Sequence, residues 1–241
     1  MVNILISGYY GFDNIGDESI LRTLVSSLRE HIPDCSLTVL SHNPASTREK
    51  YGVEAVDRMS PMAILRAVKK CDMLISGGGS LLQDVTSSKS LHYYLSIIRC
   101  AEFFHKKVFI YSQGIGPIDR PGNRRAAAAA LKRADGIVVR DERSASLLEE
   151  IGIARDKVVI TADPVIRMKK PDGDVGAEIL RKAGVSLDGR LTVGWAIRER
   201  DTDSRFVKEL LRSIQMMKDK YNAQSVLIPF HYEEDGEVCR H

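Results

Sequence analysis

The sequence has no paired cysteine motif, no long apolar run and no cluster of basic residues. Its cysteines (Cys35, Cys71, Cys100 and Cys239) are far apart in a chain of 241 residues, which excludes a CxxC-type zinc or redox motif. Reduced thiols in a cytoplasmic protein are the default for such spacing. No apolar stretch approaches the roughly 20 residues that cross a bilayer, and the first strand starts without the basic lead of a signal peptide. We therefore expect a cytoplasmic protein with no membrane span.

The charge of the chain also excludes a class of partner. The net charge is only +3, and Lys and Arg are dispersed along the sequence. Nucleic-acid binding depends mainly on clustered contacts with phosphates, so no nucleic-acid partner is expected. The composition, 44% apolar and 28% charged, is that of an ordinary globular protein, and a pocket for a small anion remains compatible with it.

Short apolar runs alternate with helical patterns through most of the chain. Strands are predicted at 2–7, 37–41, 72–76, 107–112, 136–140 and 157–161. Their hydrophobicity is continuous rather than alternating, which indicates parallel strands buried on both faces. Helices are predicted at 16–31, 61–70, 91–105, 123–134 and 142–151. This alternation predicts an α/β fold with a doubly wound, Rossmann-like parallel sheet.

A second alternation follows a segment rich in proline and charge. It comprises a helix, a strand, a helix and a strand at 175–183, 191–197, 206–221 and 225–230. We expect an N-terminal α/β domain over 1–165, a linker and connecting helix over 166–185, and the start of a second α/β domain over 186–241. About 55 residues are too few for an independent sheet of normal size, so we expect the second domain to be truncated or completed by something else.

Acidic and amide side chains gather in the loop after the first strand, GYYGFDNIGDES. Its glycine spacing differs from the G-x-G-x-x-G of dinucleotide-binding loops, and it lacks the Gly-Lys-Ser/Thr of a P-loop, which disfavours a dehydrogenase. Asp13, Asn14, Asp17 and Glu18 are candidates for binding sugar hydroxyls or for acid–base work. The alternative is that Asp17 and Glu18 only favour the N-terminus of the following helix.

A glycine-rich loop, GGGSLLQD, follows the strand at 72–76. Backbone N–H groups around Gly78, Gly79 and Ser80 could form a nest for a phosphate or carboxylate. The alternative is that the glycines only make the turn. Gln83 lies farther along the same loop.

Other polar residues stand at the ends of later strands. Gln113 follows the strand at 107–112, and Arg140 ends the strand at 136–140. A guanidinium there could bind a carboxylate or phosphate through two hydrogen bonds, although an ion pair with Asp141 or Asp163 is the alternative. His231 follows the last predicted strand.

Taken together, these motifs resemble the polysaccharide pyruvyl transferase family, especially the bacterial cell-wall ketal pyruvyltransferases of the surface-layer anchoring type. The resemblance rests on ISGYYGFDNIGDESIL, ISGGGSLLQD, YSQGIGP, VVRDERSASLL, TADP, GWAIRERD and LIPFHYEED, which cover the chain in order. It implies two facing α/β domains similar to a GT-B glycosyltransferase, with the active site in the cleft. Family members are usually longer, and a His and a basic residue that help bind their donor lie beyond the position of His241.

The resemblance also implies a reaction. The donor is phosphoenolpyruvate, and the acceptor is a polysaccharide or lipid-linked sugar that contains an amino sugar, N-acetylmannosamine in cell-wall members, with a 4,6-ketal as product. Arg140 matches the family's donor-binding Arg. With it we expect donor binding by Gly78, Gly79, Ser80 and Gln113. We expect acceptor binding by Asn14, Asp17 and Gln83, and the acid and base to come from Asp13, Asp17, Glu18 and His231. No metal or cofactor is expected, and a lipid-linked acceptor implies peripheral contact with the membrane.

Two alternatives from other classes stay open. One is a GT-B-like glycosyltransferase that uses a nucleotide sugar, which would need a nucleotide pocket in the second domain. The other is a non-catalytic, truncated paralogue that binds a sugar or phosphate.

Overall fold

The chain divides into two compact units. The computed structural model describes residues 1–85, 87–170, 173–197, 204–230, 236 and 239. The N-terminal unit covers Met1–Met168 and the C-terminal unit covers Lys169–His241.

Strands and helices alternate through the N-terminal unit. Its strands are β1 (Val2–Ser7), β2 (Cys35–Ser41), β3 (Glu54–Asp57), β4 (Met73–Gly77), β5 (Lys107–Gln113), β6 (Gly136–Val139) and β7 (Val158–Ile160). Its helices are α1 (Ile15–His31), α2 (Pro44–Tyr51), α3 (Pro61–Lys70), α4 (Ser88–Phe103), α5 (Pro121–Leu131) and α6 (Glu142–Glu150), with short 3₁₀ helices at Arg155–Lys157 and Pro164–Arg167.

The seven strands form one parallel sheet in the order β3-β2-β1-β4-β5-β6-β7. Along β1, Leu5 belongs to the hydrophobic cluster on one face, and Ile4 and Ile6 belong to the cluster on the other. Burial on both faces explains the continuous apolar runs. The predicted doubly wound α/β fold is therefore confirmed. Strand order reverses between β1 and β4, and ligands of open α/β sheets bind outside the carboxyl ends of the strands at such a point.

The sequence patterns missed α2 and β3, which lie at the edge of the sheet. Helix α2, PASTREKY, buries only Thr47 and Tyr51, so it lacks the apolar period that marks a packed helix. Its start was nevertheless encoded, because the Asn43 side chain accepts a hydrogen bond from the Ser46 N–H and Pro44 occupies the first turn. Strand β3 has four residues, too few for a visible pattern.

The C-terminal unit contains a parallel β-α-β arrangement preceded by a helix. Its elements are α7 (Gly173–Lys182), β8 (Thr192–Ile197), α8 (Ser204–Tyr221) and β9 (Gln224–Pro229). Strands β8 and β9 pair in parallel, from Thr192 opposite Gln224 to Ile197 opposite Pro229. Within the described ranges, no helix of either unit is long and apolar enough to cross a membrane.

Candidate functional site

The candidate site lies in the N-terminal unit, at the carboxyl ends of β1, β4, β5 and β6. Backbone hydrogen bonds join the loops there. The Gly114 N–H donates to the Gly79 carbonyl at 2.9 Å, and the Arg140 N–H donates to the Gln113 carbonyl at 3.1 Å. The glycine loop after β4, the end of β5 and the end of β6 are therefore held side by side, and we call the space above them the crevice.

Arg140 places a cation at the crevice, and three neighbours hold its half-buried guanidinium. Its Nη2 donates to Ser80 Oγ at 2.9 Å, and its Nη1 pairs with Asp163 at 3.0 Å. Its Nε lies 3.7 Å from an Asp141 oxygen. Both ion pairs considered as the alternative for Arg140 are thus present. A Cβ on Gly114 would come within 2.8 Å of the guanidinium, so the absent side chain of Gly114 leaves the room that Arg140 occupies.

Asp17 supplies a carboxyl group whose pKa is raised by its surroundings. It stands in the first turn of α1, where the Asn14 side chain caps the helix by accepting from the N–H groups of Gly16 and Asp17 at 3.0 and 3.2 Å. A Cβ on Gly79 would lie 2.8 Å from Asp17 Oδ1, so the carboxyl group lies against the glycine loop. Burial, and then the charge of Glu18, raise the pKa of Asp17 to about 6, although Arg140 opposes the shift. Strongly shifted groups in a crevice are candidates for function.

Glu18 is occupied by contacts within the protein. The Gly11 N–H donates to its Oε1 at 2.8 Å, and the Tyr51 hydroxyl donates to its Oε2. Burial, followed by this hydrogen bond, raises the pKa of Tyr51. Glu18 therefore ties the β1 loop to helix α2. Asp13 is exposed, adopts a left-handed φ of 56° and pairs with Lys50 at 2.6 Å.

The glycine loop is shaped by packing against α1. Gly78 and Gly79 adopt φ angles of 71° and 66°, which glycine adopts without steric cost. A Cβ on Gly78 would come within 2.1 Å of Ile20. The Gly78 N–H already donates to the Tyr111 carbonyl at 3.0 Å, which removes one donor from the predicted anion nest. The exposed Ser80 and the half-buried Gln83 follow in the same loop.

Gln113 is fully buried at the end of β5. Its Nε2 donates to the carbonyl and to the hydroxyl of Ser76, both at 2.8 Å. Within the described part of the chain, its Oε1 has no hydrogen-bond partner. Buried polar atoms are nearly always paired, so this amide oxygen is an exception within the described residues.

The sequence patterns missed Arg58, a cation that lies 7% exposed just after β3. Its Nη1 donates to the Gly8 carbonyl at 3.0 Å and its Nη2 to the Tyr94 hydroxyl at 3.2 Å. Because β3 itself was not predicted, nothing placed Arg58 at the carboxyl edge of the sheet. His231 lies outside the described residues. Among the residues described, no group of three or more His, Cys, Asp or Glu is placed to hold a metal ion.

Comparisons with known proteins agree with this fold and connect it to polysaccharide synthesis. The sequence model of the polysaccharide pyruvyl transferase family matches residues 14–241. Amylovoran biosynthesis protein AmsJ of Erwinia amylovora is 24% identical over 239 residues, covering 82% of this chain and 57% of AmsJ. The chain thus spans little more than half the length of this curated relative.

Solved structures of similar fold include enzymes whose names refer to UDP-sugars. A UDP-GlcNAc 2-epimerase from Methanocaldococcus jannaschii superposes with a TM-score of 0.61 at 13% identity, covering 98% of this chain and 68% of that chain. Anabaena Alr3699/HepE in complex with UDP-glucose superposes with a TM-score of 0.55 at 10% identity, covering 95% and 69%. Identities this low support the fold alone, and the fold is that of GT-B-like epimerases and glycosyltransferases.

Proposed function

Because the chain belongs to the polysaccharide pyruvyl transferase family, we propose that it acts in the transfer of a pyruvyl group from phosphoenolpyruvate to a cell-envelope polysaccharide or its lipid-linked sugar precursor, forming a ketal. The proposed acceptor contains an amino sugar. The proposed compartment is the cytoplasm, with peripheral contact at the membrane where the lipid-linked acceptor resides. The reaction as proposed uses no cofactor.

The observation that carries the proposal is that Asp17 and Arg140 both lie at the crevice, near enough for the charge of Arg140 to lower the pKa of Asp17. Arg140 contributes to the electrostatic environment of Asp17, whose pKa lies near 6. A guanidinium is suited to a carboxylate or phosphate, and a carboxyl group with a pKa near 6 exchanges protons readily at neutral pH. The two side chains therefore supply an anion site and a proton donor within the same space.

The chemistry of an enol phosphate needs both of these groups. Protonation of the methylene carbon of phosphoenolpyruvate turns it into a methyl group and leaves a cationic centre at C2. One sugar hydroxyl attacks C2, phosphate leaves, and a second hydroxyl attacks the same carbon to close the ketal. Of the two hydroxyl protons released, one balances the proton taken up by the methylene carbon and the other leaves with phosphate. We assign the first protonation to Asp17.

Arg140 binds the donor in this scheme. Its present partners are Ser80 and Asp163, and an incoming carboxylate or phosphate would compete with Asp163 for the guanidinium. We propose that the donor takes over this contact, while the neighbouring Ser80 hydroxyl and the Gly79 backbone line the anion.

The test is a calorimetric titration of the purified chain with phosphoenolpyruvate, with a UDP-sugar as the control ligand. Arg140→Ala should weaken phosphoenolpyruvate binding at least tenfold, because one hydrogen bond to a charged group is worth about 1.5–3 kcal/mol. Arg125→Ala, which removes an exposed Arg from α5, is the matched control and should bind as the parent does.

Three other results would contradict parts of this proposal. Binding of the UDP-sugar without phosphoenolpyruvate would favour the glycosyltransferase alternative. Unchanged donor affinity in Arg140→Ala would remove Arg140 from the donor site. Phosphoenolpyruvate binding with no pyruvyl transfer to any acceptor would favour the non-catalytic paralogue.

A further inference from the structure

The exposed sides of helices α3 and α4 carry cations that come from separate places in the sequence. On each helix the exposed residues recur every three or four positions, and residues with this spacing share one side of a helix. We call the cations and large apolar side chains of these two exposed sides the basic face. Its members are Met62, Arg66, Lys69 and Lys70 of α3 and Lys89, Arg99 and Phe103 of α4.

Both helices lie on the same side of the parallel sheet. Val68 of α3 and Leu91 and Ile98 of α4 belong to one buried cluster, whereas the buried residues of α1 belong to the other. The Nζ of Lys69 on α3 lies 5.1 Å from the ring centroid of Phe104, the residue that follows α4. The exposed sides of the two helices therefore face away from the sheet together, and the basic face is continuous at the end of α4.

The positive charge of the basic face is not neutralised within the helices that form it. Both helices lie wholly among the described residues, and none of their exposed residues is Asp or Glu. Within the described part of the chain, no cation of the basic face forms an ion pair with a carboxylate. The face therefore presents its charge to solvent.

The carboxylates next to the basic face in sequence are fewer than its cations. Asp72, just after α3, accepts hydrogen bonds from the backbone N–H and the side-chain amide of Asn3 at 2.8 and 3.2 Å. Glu102, next to Phe103, is half-buried. Burial raises the pKa of Glu102, and the charges of Arg133 and Arg99 oppose this shift. Arg133 thus adds a further cation near the end of α4, and the surface keeps an excess of positive charge.

Large apolar side chains are exposed among these cations. Met62 near the start of α3 is 59% exposed, and Phe103 at the end of α4 is 75% exposed. A polyanion in water would pair with the cations only. The head groups of an anionic membrane attract cations, and its acyl chains accept apolar side chains. Such a membrane is therefore the partner that fits both kinds of side chain.

We propose that the basic face binds the surface of a membrane that contains anionic lipids. Its cations lie among the lipid phosphates, and Met62 and Phe103 enter the upper part of the acyl chains. Both helices begin at the carboxyl edge of the sheet, because α3 follows β3 and α4 follows β4. A membrane along the basic face would therefore pass beside the crevice. That this contact serves a lipid-linked acceptor rests on the proposed function.

Cosedimentation of the full chain with lipid vesicles tests the basic face. Vesicles of phosphatidylglycerol and phosphatidylcholine should bind the chain, pure phosphatidylcholine vesicles should not, and added salt should weaken binding because it screens exposed charges. Lys69→Gln combined with Lys70→Gln should weaken binding about 25-fold, since each cation near an anionic surface contributes about fivefold. Lys169→Gln combined with Lys170→Gln removes another exposed pair of adjacent lysines. This double variant is the matched control and should bind as the parent does.

Phe103→Ala tests the apolar part of the same contact. It should weaken vesicle binding about tenfold, the scale on which burial of part of an aromatic side chain contributes. Tyr221→Ala, which removes an exposed ring at the end of α8, is its control and should bind as the parent does. Soluble polyglutamate is the second probe. If it binds as tightly as the vesicles, and Phe103→Ala has no effect on vesicle binding, the partner is an acidic protein and the membrane proposal is overturned.

The outcomes separate the basic face from the proposed reaction. Vesicle binding that depends on Lys69 and Lys70 supports the face even where no pyruvyl transfer is found. Absence of vesicle binding, equal binding to neutral vesicles, or an equal loss in both lysine double variants would each overturn it. Pyruvyl transfer by a chain that binds no vesicles would overturn the face and leave the proposed function standing.

Discussion

Replacing Asp17 by Asn should stabilise the protein and at the same time slow its reaction. The pKa of Asp17 rises from 3.8 to about 6 on folding, with burial as the main cause, so the folded state disfavours the ionised carboxylate. A folded pKa above the unfolded one gives stability that is fully present below pH 3.8 and is lost as the pH rises through about 6. Asn resembles the protonated carboxyl group and escapes this loss.

The size of the effect follows from the two pKa values. A difference of about 2.2 units corresponds to about 3 kcal/mol at high pH, at 1.36 kcal/mol per unit. The same linkage at pH 5 gives about 1.6 kcal/mol, since the unfolded carboxyl is already ionised there and the folded one is not. Asp17 keeps some contact with water, so both values are upper bounds. The advantage of Asn should therefore grow by about 1 kcal/mol between pH 5 and pH 8.

Urea denaturation at the two pH values, followed by far-UV circular dichroism, measures this difference. Asp13→Asn is the matched control, because it removes an exposed carboxylate from the same loop, and it should change the free energy of unfolding by less than about 1 kcal/mol at either pH. An equal or lower stability of Asp17→Asn at pH 8 would refute the electrostatic reasoning. Undiminished pyruvyl transfer by the same variant would remove Asp17 as the acid.

Two further substitutions test how the crevice is built. Gly114→Ala places a Cβ within 2.8 Å of the guanidinium of Arg140 and should weaken phosphoenolpyruvate binding about tenfold in calorimetry. Gly122→Ala, whose Cβ meets nothing within 4 Å, is the control and should leave binding unchanged. Equal binding by both variants would contradict this role of Gly114. Glu18→Gln puts an NH₂ group opposite one of the two donors that Glu18 accepts from, so it should lower the free energy of unfolding by about 1–3 kcal/mol in urea denaturation. Lost turnover at unchanged stability would instead make Glu18 a reacting group.

The fold could be predicted because the burial of its central strands is visible in short stretches of the sequence. Strands such as β1 and β4 are buried on both faces, and continuous apolar runs record that burial directly. The edge elements α2 and β3 bury little, so they left no comparable pattern. Arg58 was missed for the same reason, since its place at the carboxyl edge of the sheet depends on β3.

From the sequence, the site residues could be located only through their positions at the ends of strands. The residues after β4 and β6 were placed at one edge, and the structure joins Ser80 and Arg140 there by a hydrogen bond of 2.9 Å. The different surroundings of Asp17 and Glu18, however, come from tertiary contacts. Glu18 is adjacent in sequence, but Tyr51, 33 residues away, occupies one of its oxygens. No spacing rule within the β1 loop records such a partner.

The charge balance of the crevice links donor binding to the acid proton. Asp141 and Asp163 lie close to the guanidinium of Arg140, and the charges of Arg140 and Asp163 both act on Asp17, so an anionic donor would bind next to carboxylates of like charge. Protonation of Asp17 relieves part of this repulsion, and an adjacent anion raises the pKa of a carboxyl group further. In the proposed reaction, binding of phosphoenolpyruvate would therefore favour the protonated form of Asp17. In that scheme the arriving donor would bring Asp17 toward the protonated form, which gives its proton to the methylene carbon.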